Sequence, residues 1–288
     1  KELETALNSS SHLLNDASVH LLQAGGKRIR PVFVLLSAKF GQYDIERVKQ
    51  IAVPLELIHM ASLVHDDVID NSDMRRGELT VKAQWNNRVA MYTGDFIFAR
   101  ALEYVTTIEH PRVHQILART MVEIVNGEVI QIEDKFRLDQ NLKDYFRRIK
   151  RKTALLIESS CELGAIVGGV EPKNVRHLKR YGYFVGMSFQ IVDDILDFTA
   201  TDKELGKPAG SDLLQGNITL PALLLKDDPQ VRPYIDKVIA GTLTEEERKD
   251  MLKIIRKSDA IKQAAKLSDR YLQKALKEVE ALPNHPMK

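Results

Sequence analysis

Residues 59–70 read HMASLVHDDVID, and residues 186–198 read GMSFQIVDDILDF. In each stretch an Asp-Asp-x-x-Asp pattern lies among apolar residues that recur with helical spacing, which predicts one buried helix for each motif. The same spacing continues over most of the chain, and the alternating pattern of β-strands is scarce. No shift in composition marks a boundary. The sequence therefore predicts an all-α fold in a single domain over residues 1–288.

Glycine, proline and Asp-Pro breaks divide this helical pattern into separate segments. Pro54 lies inside one of them and predicts a kink there. Two or three further helices are expected up to Leu282. The main predicted helices cover residues 3–24, 32–40, 45–69, 88–107, 113–133, 142–167, 175–199 and 219–225.

Composition excludes several classes of function. The 42 basic and 40 acidic residues leave a formal charge of +2, which gives no reason to expect nucleic acid as a partner. The only cysteine, Cys161, lies in an apolar run and is expected in the core, so a reducing, cytoplasmic location fits. No apolar stretch reaches transmembrane length, and the N-terminal residues do not resemble a signal peptide.

The two acidic motifs bring carboxylates close together, which indicates the chemistry of the site. Helical spacing brings the three carboxylates of each motif to one patch, where two charges about 6 Å apart repel by roughly 3 kcal/mol at an effective dielectric of ~20. Protonation or a hard cation would relieve this repulsion, and Mg²⁺ takes oxygen ligands from carboxylates and phosphates. A solvated acidic surface explains one such motif equally well, but two much less well. The carboxylates are Asp66, Asp67 and Asp70, and then Asp193, Asp194 and Asp197.

A diphosphate ligand would also need cationic side chains. The glycine-rich turn GGKRIRP over residues 25–31 offers Lys27 and Arg30 for phosphate oxygens. Arg75 and Arg76 follow the first motif and cannot share one helical face, so they suit two different phosphates or a solvated turn. His59 precedes Asp66 by two helical turns on the same side, which favours a phosphate contact over an ordinary core histidine.

Further polar residues accompany the second motif. Lys152 and Thr153 lie within the basic stretch RRIKRKTALLIE, most of which is expected at the surface. Gln190 precedes Asp193 by three residues on the same face, so its carbonyl oxygen can point into a pocket. Lys207, in the loop GKPAGSD, is a candidate for a basic lid.

These motifs resemble, in order and approximate spacing, those of the trans-prenyl diphosphate synthase family, also called polyprenyl synthetases. They are GGKRIRP, LVHDDVIDNSDMRRG, RKT, FQIVDDILD and GKPAGSD. The resemblance implies an all-α isoprenoid synthase fold with a central cavity, with the two acidic motifs facing each other across its mouth. It implies three Mg²⁺ ions that bridge an allylic diphosphate to Asp66, Asp67, Asp70 and Asp193, with Asp194 and Asp197 nearby.

The resemblance also implies roles for the other polar residues. It assigns isopentenyl diphosphate to Lys27, Arg30, His59 and Arg76, and the allylic diphosphate to Arg75, Lys152 and Lys207. It places Thr153 and Gln190 beside the carbocation that forms. This chain carries Asn217 where many members of the family have a lysine, so one cationic contact is expected to be missing or replaced.

Product length should depend on the residues one or two helical turns before Asp66. Short-chain members of the family tend to carry bulky aromatic residues there, whereas this chain has Ala61 and Ser62. We therefore expect a product longer than fifteen carbons, with Ile58 and its neighbours nearer the floor of the cavity. The alternative is that Ala61 and Ser62 are small because helices pack there.

The segments 55–77 and 211–223 are most similar to the large catalytic components of bacterial synthases that make heptaprenyl and hexaprenyl diphosphate for menaquinone side chains. This similarity implies a heptaprenyl product grown from farnesyl diphosphate, with hexaprenyl or longer products as alternatives. It also implies a homodimer of this chain and a small regulatory partner subunit. A terpene cyclase would not need both acidic motifs. A non-catalytic regulatory subunit would have lost aspartates or Lys152, and a plain helical scaffold would not explain five ordered motifs.

Overall fold

The computed structural model describes residues 1–288, and 73% of them are helical. The only strands are two residues long and pair antiparallel, Met74–Arg75 with Glu78–Leu79 (β1 and β2). The predicted all-α class is confirmed. None of the helices combines the length and the apolar character that crossing a lipid bilayer requires.

The chain folds into two compact units. The first contains Lys1–Ala118, Ser159–Lys179 and Leu282–Lys288, and the second contains Arg119–Glu158 and Arg180–Ala281. Three long helices contribute residues to both units: α7 (Pro111–Glu133), α9 (Leu155–Val167) and α10 (Pro172–Thr199). The single domain expected over residues 1–288 stays a prediction.

The first unit is built around a helix that carries the first acidic motif. Its own helices are α1 (Glu2–Ala6), α2 (His12–Gln23), α3 (Ile29–Ala38), α4 (Ile45–Ile69), α5 (Val81–Gln84) and α6 (Asn87–Thr106). Helix α4 packs against α6 and α3 and buries Ile51, Leu55 and Met60 almost completely. It remains one helix through the buried Pro54.

The second unit contains shorter helices around the C-terminal part of α10. They are α8 (Leu142–Ile149), α11 (Asp202–Leu205), α12 (Ser211–Leu214), α13 (Leu220–Leu225), α14 (Arg232–Ile239), α15 (Glu245–Lys257) and α16 (Asp259–Glu280). A π-helical turn, Lys150–Ala154, connects α8 to α9. The core here includes Tyr145, Met187 and Phe198, which are fully buried.

The helix predicted over residues 3–24 is wrong as a single element. It is interrupted between Ala6 and His12, because Ser11 takes an extended conformation and its side chain accepts a hydrogen bond from the backbone of Leu14. Serine in this position caps a new helix. Cys161 is buried and free, as the sequence predicted.

Candidate active site

A left-handed turn at residues 25–28 begins a group of cationic side chains in the first unit. Gly25, Gly26 and Arg28 have φ angles of 84, 129 and 48°. The guanidinium of Arg76 donates a hydrogen bond to the Gly25 carbonyl, and a Cβ atom on Gly26 would collide with this guanidinium. Glycine at position 26 therefore allows Arg76 to reach the turn.

Arg28 is held by a buried carboxylate. Its Nη1 donates to Glu56 Oε1 at 3.1 Å, and its Nη2 donates to the carbonyl of Leu22 at 2.8 Å. Glu56 lies on α4 and is only 2% exposed, and its second oxygen has no hydrogen-bond partner. A buried carboxylate is stable only beside positive charge, so Glu56 both needs and fixes the arginines around it.

Arg30 and His59 experience the same electrostatic environment. Burial lowers the pKa of Arg30 to about 10, although the negative charge of Glu56 opposes this change. Burial also lowers the pKa of His59 well below its usual value, and the charges of Arg30 and Arg76 add to the effect. The Nε atom of Arg30 is buried without a hydrogen-bond partner. A cluster with this much positive charge is suited to a polyanion such as a diphosphate.

Hydrogen bonds within the loop after the first acidic motif hold the segment that carries Arg75 and Arg76. The hydroxyl of Thr80 donates to the Ser72 carbonyl at 2.8 Å, and its amide bonds to the Asp73 carbonyl at 2.9 Å. Lys82 Nζ donates to Asn71 and Asp73 at 2.6 and 2.9 Å. The two arginines therefore lie on a hairpin that these hydrogen bonds stabilise, and not on a helix.

Arg75 pairs with the middle carboxylate of the first motif. Its Nε and Nη2 atoms lie 2.9 and 2.8 Å from Asp67 Oδ1, and Asp67 is 2% exposed. Burial raises the pKa of Asp67, and the hydrogen bond from Arg75 opposes this rise. Asp66 and Asp70 remain partly accessible on the same motif.

The three carboxylates of the second motif have different surroundings. Asp193 is the most accessible, whereas Asp194 and Asp197 are each 2% exposed. Asp194 accepts hydrogen bonds from the Tyr145 hydroxyl at 2.7 Å and from Gln190 Nε2 at 2.8 Å, and burial raises its pKa to about 7. Asp194 and Asp197 thus turn inward to donors of the chain itself, whereas Asp193 is exposed.

Asp197 lies beside the predicted lid lysine. Lys207 Nζ is 3.1 Å from Asp197 Oδ1 and 2.9 Å from Asp212 Oδ1. Ser211 also donates to Asp197, at 3.1 Å. Burial and the charge of Asp212 raise the pKa of Asp197 to about 6, although Lys207 opposes the change. Lys207 therefore offsets the repulsion between these two carboxylates.

The π-helical turn carries two of the predicted catalytic residues. Lys152 Nζ donates to Gln131 Oε1 at 3.0 Å, and the hydroxyl of Thr153 donates to Gln190 Oε1 at 2.5 Å. A Cβ atom on Gly186 would collide with Ala154, so glycine lets α10 approach the turn closely. Single π-helical turns are frequent at functional sites.

The residues predicted to limit product length lie on α4. Ala61 and Ile58 are 0 and 2% exposed. Ser62 is partly exposed, and its hydroxyl donates to the carbonyl of His59 at 2.9 Å. Burial of this kind is compatible with both a cavity wall and helix packing, so the role in product length stays a prediction.

The sequence predicted most of the cationic cluster but not the ion pair between Arg28 and Glu56 that holds it. Arg30, His59 and Arg76 are brought together as expected, whereas Lys27 is an exposed side chain. The missed participants are Arg28 and Glu56, and the acidic residue inside the apolar run LELIH was the signal for them. In the second unit Tyr145 and Asp212 were missed.

No three acidic, histidine or cysteine side chains converge into a ready-made metal cage anywhere in the structure. The residues still fit Mg²⁺, which needs only one or two carboxylates because waters and substrate phosphates complete its shell. Asp193 suits this chemistry, because its carboxylate is exposed and can therefore be reached by an ion that keeps part of its water shell. The six carboxylates stay predicted metal-site residues at this point.

The helical architecture and the two acidic motifs are those of a prenyltransferase. Comparison with known proteins leads to the same class. The sequence matches the family described as "Polyprenyl synthetase" over residues 11–256. The chain belongs to the polyprenyl synthetase family.

Individual relatives are similar over nearly the whole chain. Heptaprenyl diphosphate synthase component 2 of Geobacillus stearothermophilus is 58% identical over 284 residues, which cover 98% of this chain and 88% of the relative. The protein with the same description from Bacillus subtilis (strain 168) is 55% identical, with coverage of 98% and 81%. The crystal structure of heptaprenyl diphosphate synthase from Staphylococcus aureus superposes with a TM-score of 0.90 at 47% identity, covering 99% of this chain and 90% of that one.

Proposed function

We propose that this chain adds isopentenyl diphosphate units to farnesyl diphosphate and makes all-trans heptaprenyl diphosphate for menaquinone side chains. The observation that carries the proposal is the 58% identity, over 98% of this chain, with a heptaprenyl diphosphate synthase component 2. Polyprenyl synthetases extend prenyl chains, so the proposal concerns which substrate and product this member uses.

The cationic cluster of the first unit receives isopentenyl diphosphate in this proposal. Arg30, His59 and Arg76 contact its phosphates, and Lys27 approaches from the exposed turn. Arg28 does not need to touch the ligand, because Glu56 and the Leu22 carbonyl already hold its side chain in place. The diphosphate neutralises charges that the protein alone leaves poorly compensated, which provides the affinity.

The allylic diphosphate is assigned to Arg75, Lys152 and Lys207. In the proposed reaction the allylic carbon–oxygen bond breaks, and the diphosphate leaves with the electron pair. The alkene of isopentenyl diphosphate then attacks the allyl cation. The released diphosphate is the proposed base for the final proton, since the motifs contain no evident side-chain base.

The enzymes of this family generally depend on Mg²⁺. We assign three ions per site to Asp66, Asp67, Asp70 and Asp193. When bound, such ions supply Lewis-acid stabilisation of the leaving diphosphate. Thr153 and Gln190 face the developing cation with oxygen atoms, and their mutual hydrogen bond of 2.5 Å fixes those oxygens. Asp197 holds Lys207 in place.

The growing chain passes the small side chains Ala61 and Ser62 in this proposal and stops deeper along α4, near Ile58. An aromatic residue at either small position would close that path one helical turn below Asp66, about 5.4 Å along the axis. The absence of a bulky ring there is the feature that favours a long product over farnesyl or geranylgeranyl diphosphate.

A homodimer is proposed from an exposed apolar stripe on α7. Val122, Val125, Val129 and Ile132 are 60, 59, 48 and 51% exposed. Their spacing of three, four and three residues is that of a helix packing against another helix. The proposed occupant is the same stripe of a second copy. Val125→Glu should shift the purified chain from dimer to monomer by light scattering, and Gln273→Glu, an exposed residue on α16, is the charge-matched control.

A small partner subunit is also proposed, because the name "component 2" of two relatives implies a second component. The partner would complete the wall around a long apolar product, whose exposure to water costs about 0.8 kcal/mol per CH₂ group. We expect weak long-chain synthesis by this chain alone and full synthesis with the partner.

The experiment incubates the purified chain with labelled isopentenyl diphosphate, farnesyl diphosphate and Mg²⁺, with and without the candidate partner. Products are dephosphorylated and separated by chain length. One dominant heptaprenyl product supports the proposal. A dominant hexaprenyl or longer product would replace the assigned length, and no elongation in any mixture would contradict the proposed activity. Full-rate heptaprenyl synthesis by this chain alone would remove the partner from the proposal.

A further inference from the structure

Tyr145 is a fully buried side chain that the proposed reaction does not use. It lies on α8, and its hydroxyl donates to Asp194 Oδ2 at 2.7 Å. Burial raises the pKa of Tyr145 well above its usual value, so the hydroxyl keeps its proton and acts as a donor. A buried hydroxyl directed at one oxygen of a buried carboxylate fixes the orientation of that carboxylate.

The second oxygen of Asp194 determines which way Gln190 points. Gln190 Nε2 donates to Asp194 Oδ1 at 2.8 Å and to Asp193 Oδ2 at 3.2 Å. Nε2 carries two hydrogens, so this one nitrogen can donate to both carboxylates, and the amide nitrogen is the end that faces them. A flipped amide would bring its oxygen against carboxylate oxygens. The carbonyl end of Gln190 is therefore directed away from the acidic motif.

That carbonyl end meets Thr153 on the π-helical turn. Thr153 donates to Gln190 Oε1 at 2.5 Å, and the hydroxyl is then left with acceptor lone pairs. The four residues thus form one connected hydrogen-bond network, in which Thr153 donates to Gln190, and Gln190 and Tyr145 both donate to Asp194. Every member belongs to the second compact unit.

We propose that Tyr145 and Asp194 are positioning residues that hold the Gln190 amide with its carbonyl oxygen towards the allyl cation, and that Asp194 is not a metal ligand. The inference rests on the proposed prenyl transfer. Neither residue touches substrate, since both act through Gln190. Oxygen dipoles fixed before the reaction stabilise a developing positive charge more effectively than dipoles that must reorient.

The contacts of Asp194 favour this role over metal binding. Both of its oxygens already accept hydrogen bonds from buried or partly buried donors, and the residue is 2% exposed. Asp67 is equally buried but differs from Asp194, because Arg75 contacts only its Oδ1 atom. Asp193 is more accessible and makes only the weaker 3.2 Å contact with Gln190, so it is the better ligand of the two.

A double-mutant cycle tests the proposal in the complete enzyme, with its partner subunit if elongation requires it. Tyr145→Phe keeps the buried ring and removes only the hydroxyl. We expect kcat to fall about tenfold in the wild-type background and less than about twofold in Gln190→Ala, because the effect passes through Gln190. KM for both substrates and the Mg²⁺ concentration for half-maximal rate should stay within about twofold of wild type.

Asp194→Asn provides a second variant. Asparagine has an NH₂ donor where aspartate has its second oxygen, and Tyr145 and Gln190 each donate to a different oxygen, so one of them would face a donor instead of an acceptor. We expect kcat to fall while the half-saturating Mg²⁺ concentration is unchanged. Tyr183→Phe, which removes a half-buried hydroxyl that interacts with Tyr271, is the matched control and should retain full activity.

Equal losses from Tyr145→Phe in both backgrounds would overturn the positioning role, as would an unchanged kcat. A several-fold rise in the Mg²⁺ requirement of Asp194→Asn would return Asp194 to the metal site. These results differ from a failure of the proposed function, in which the wild-type enzyme itself would not elongate an allylic diphosphate.

Discussion

Replacing Arg75 by glutamine should expose how strongly the first acidic motif depends on a protein counter-charge. Arg75 places two nitrogen atoms within 2.9 Å of one oxygen of Asp67. Asp67 is 2% exposed, whereas the Arg75 side chain is 30% exposed. The variant would leave a buried carboxylate without its main partner, because glutamine can offer only one neutral donor group.

Removal of one partner from a buried ion pair typically destabilises a protein by about 3–5 kcal/mol. Because water partly screens Arg75, we expect a smaller loss, about 2–3 kcal/mol near neutral pH or above. For a chain of this length that corresponds to a melting temperature lowered by roughly 5 °C.

The difference between the two proteins should shrink in acid. Burial raises the pKa of Asp67, and loss of Arg75 should raise it further. Arg75 stabilises only the ionised carboxylate, so its contribution is present above the pKa of Asp67 in the fold and is lost as pH falls through that value. Urea denaturation at several pH values measures this.

Asp67→Asn combined with Arg75→Gln tests the coupling directly. If the pair interacts as the distances indicate, the double variant should be more stable than Arg75→Gln alone. Arg176→Gln, at an exposed position on α10, is the control. Equal stability of single and double variants would refute the reasoning.

Three further predictions concern residues of the first compact unit. The pKa of His59 lies well below its usual value, so the unfolded chain binds more protons than the folded chain below about pH 6.5. As pH falls below that value, the unfolding free energy of wild type should decrease by up to about 1.4 kcal/mol per pH unit more than that of His59→Gln. Equal slopes of the two proteins in urea denaturation would contradict this. Arg30→Ala should raise KM for isopentenyl diphosphate more than KM for the allylic substrate, whereas the opposite order in steady-state kinetics would exchange the two assigned sites. Ala61→Phe should shorten the product to about farnesyl or geranylgeranyl length, since a packed wall does not absorb a ring cheaply; an unchanged product spectrum would show that the path lies elsewhere.

Helical periodicity was a reliable guide wherever a helix buries one long face. The helix predicted over residues 45–69 matches α4 (Ile45–Ile69), and the prediction over 219–225 differs from α13 (Leu220–Leu225) by one residue. The break near Ser11 was missed because a helix cap depends on one local hydrogen bond and leaves little trace in the apolar pattern. The π-helical turn Lys150–Ala154 was missed as well, because a single turn is too short for its different period to be visible in the apolar pattern.

The candidate site was predictable in its residues but not in its pairings. Spacing alone suggested three equivalent carboxylates in each motif. The structure instead distinguishes Asp194 from Asp193, because Tyr145 approaches from another helix, 49 residues away in sequence. The ion pair between Arg28 and Glu56 likewise joins residues 28 positions apart. Such long-range pairs depend on tertiary packing, which one sequence does not reveal.

The most direct test of the central claim measures elongation by wild type, Asp66→Ala and Asp193→Ala with Mg²⁺, and by wild type in EDTA. Circular dichroism and melting curves would verify that each variant is folded. The account predicts steady synthesis by wild type with Mg²⁺, a loss of several powers of ten in both variants, and none in EDTA. Near-normal turnover in EDTA, or in either folded variant, would contradict metal-dependent prenyl transfer by the two acidic motifs.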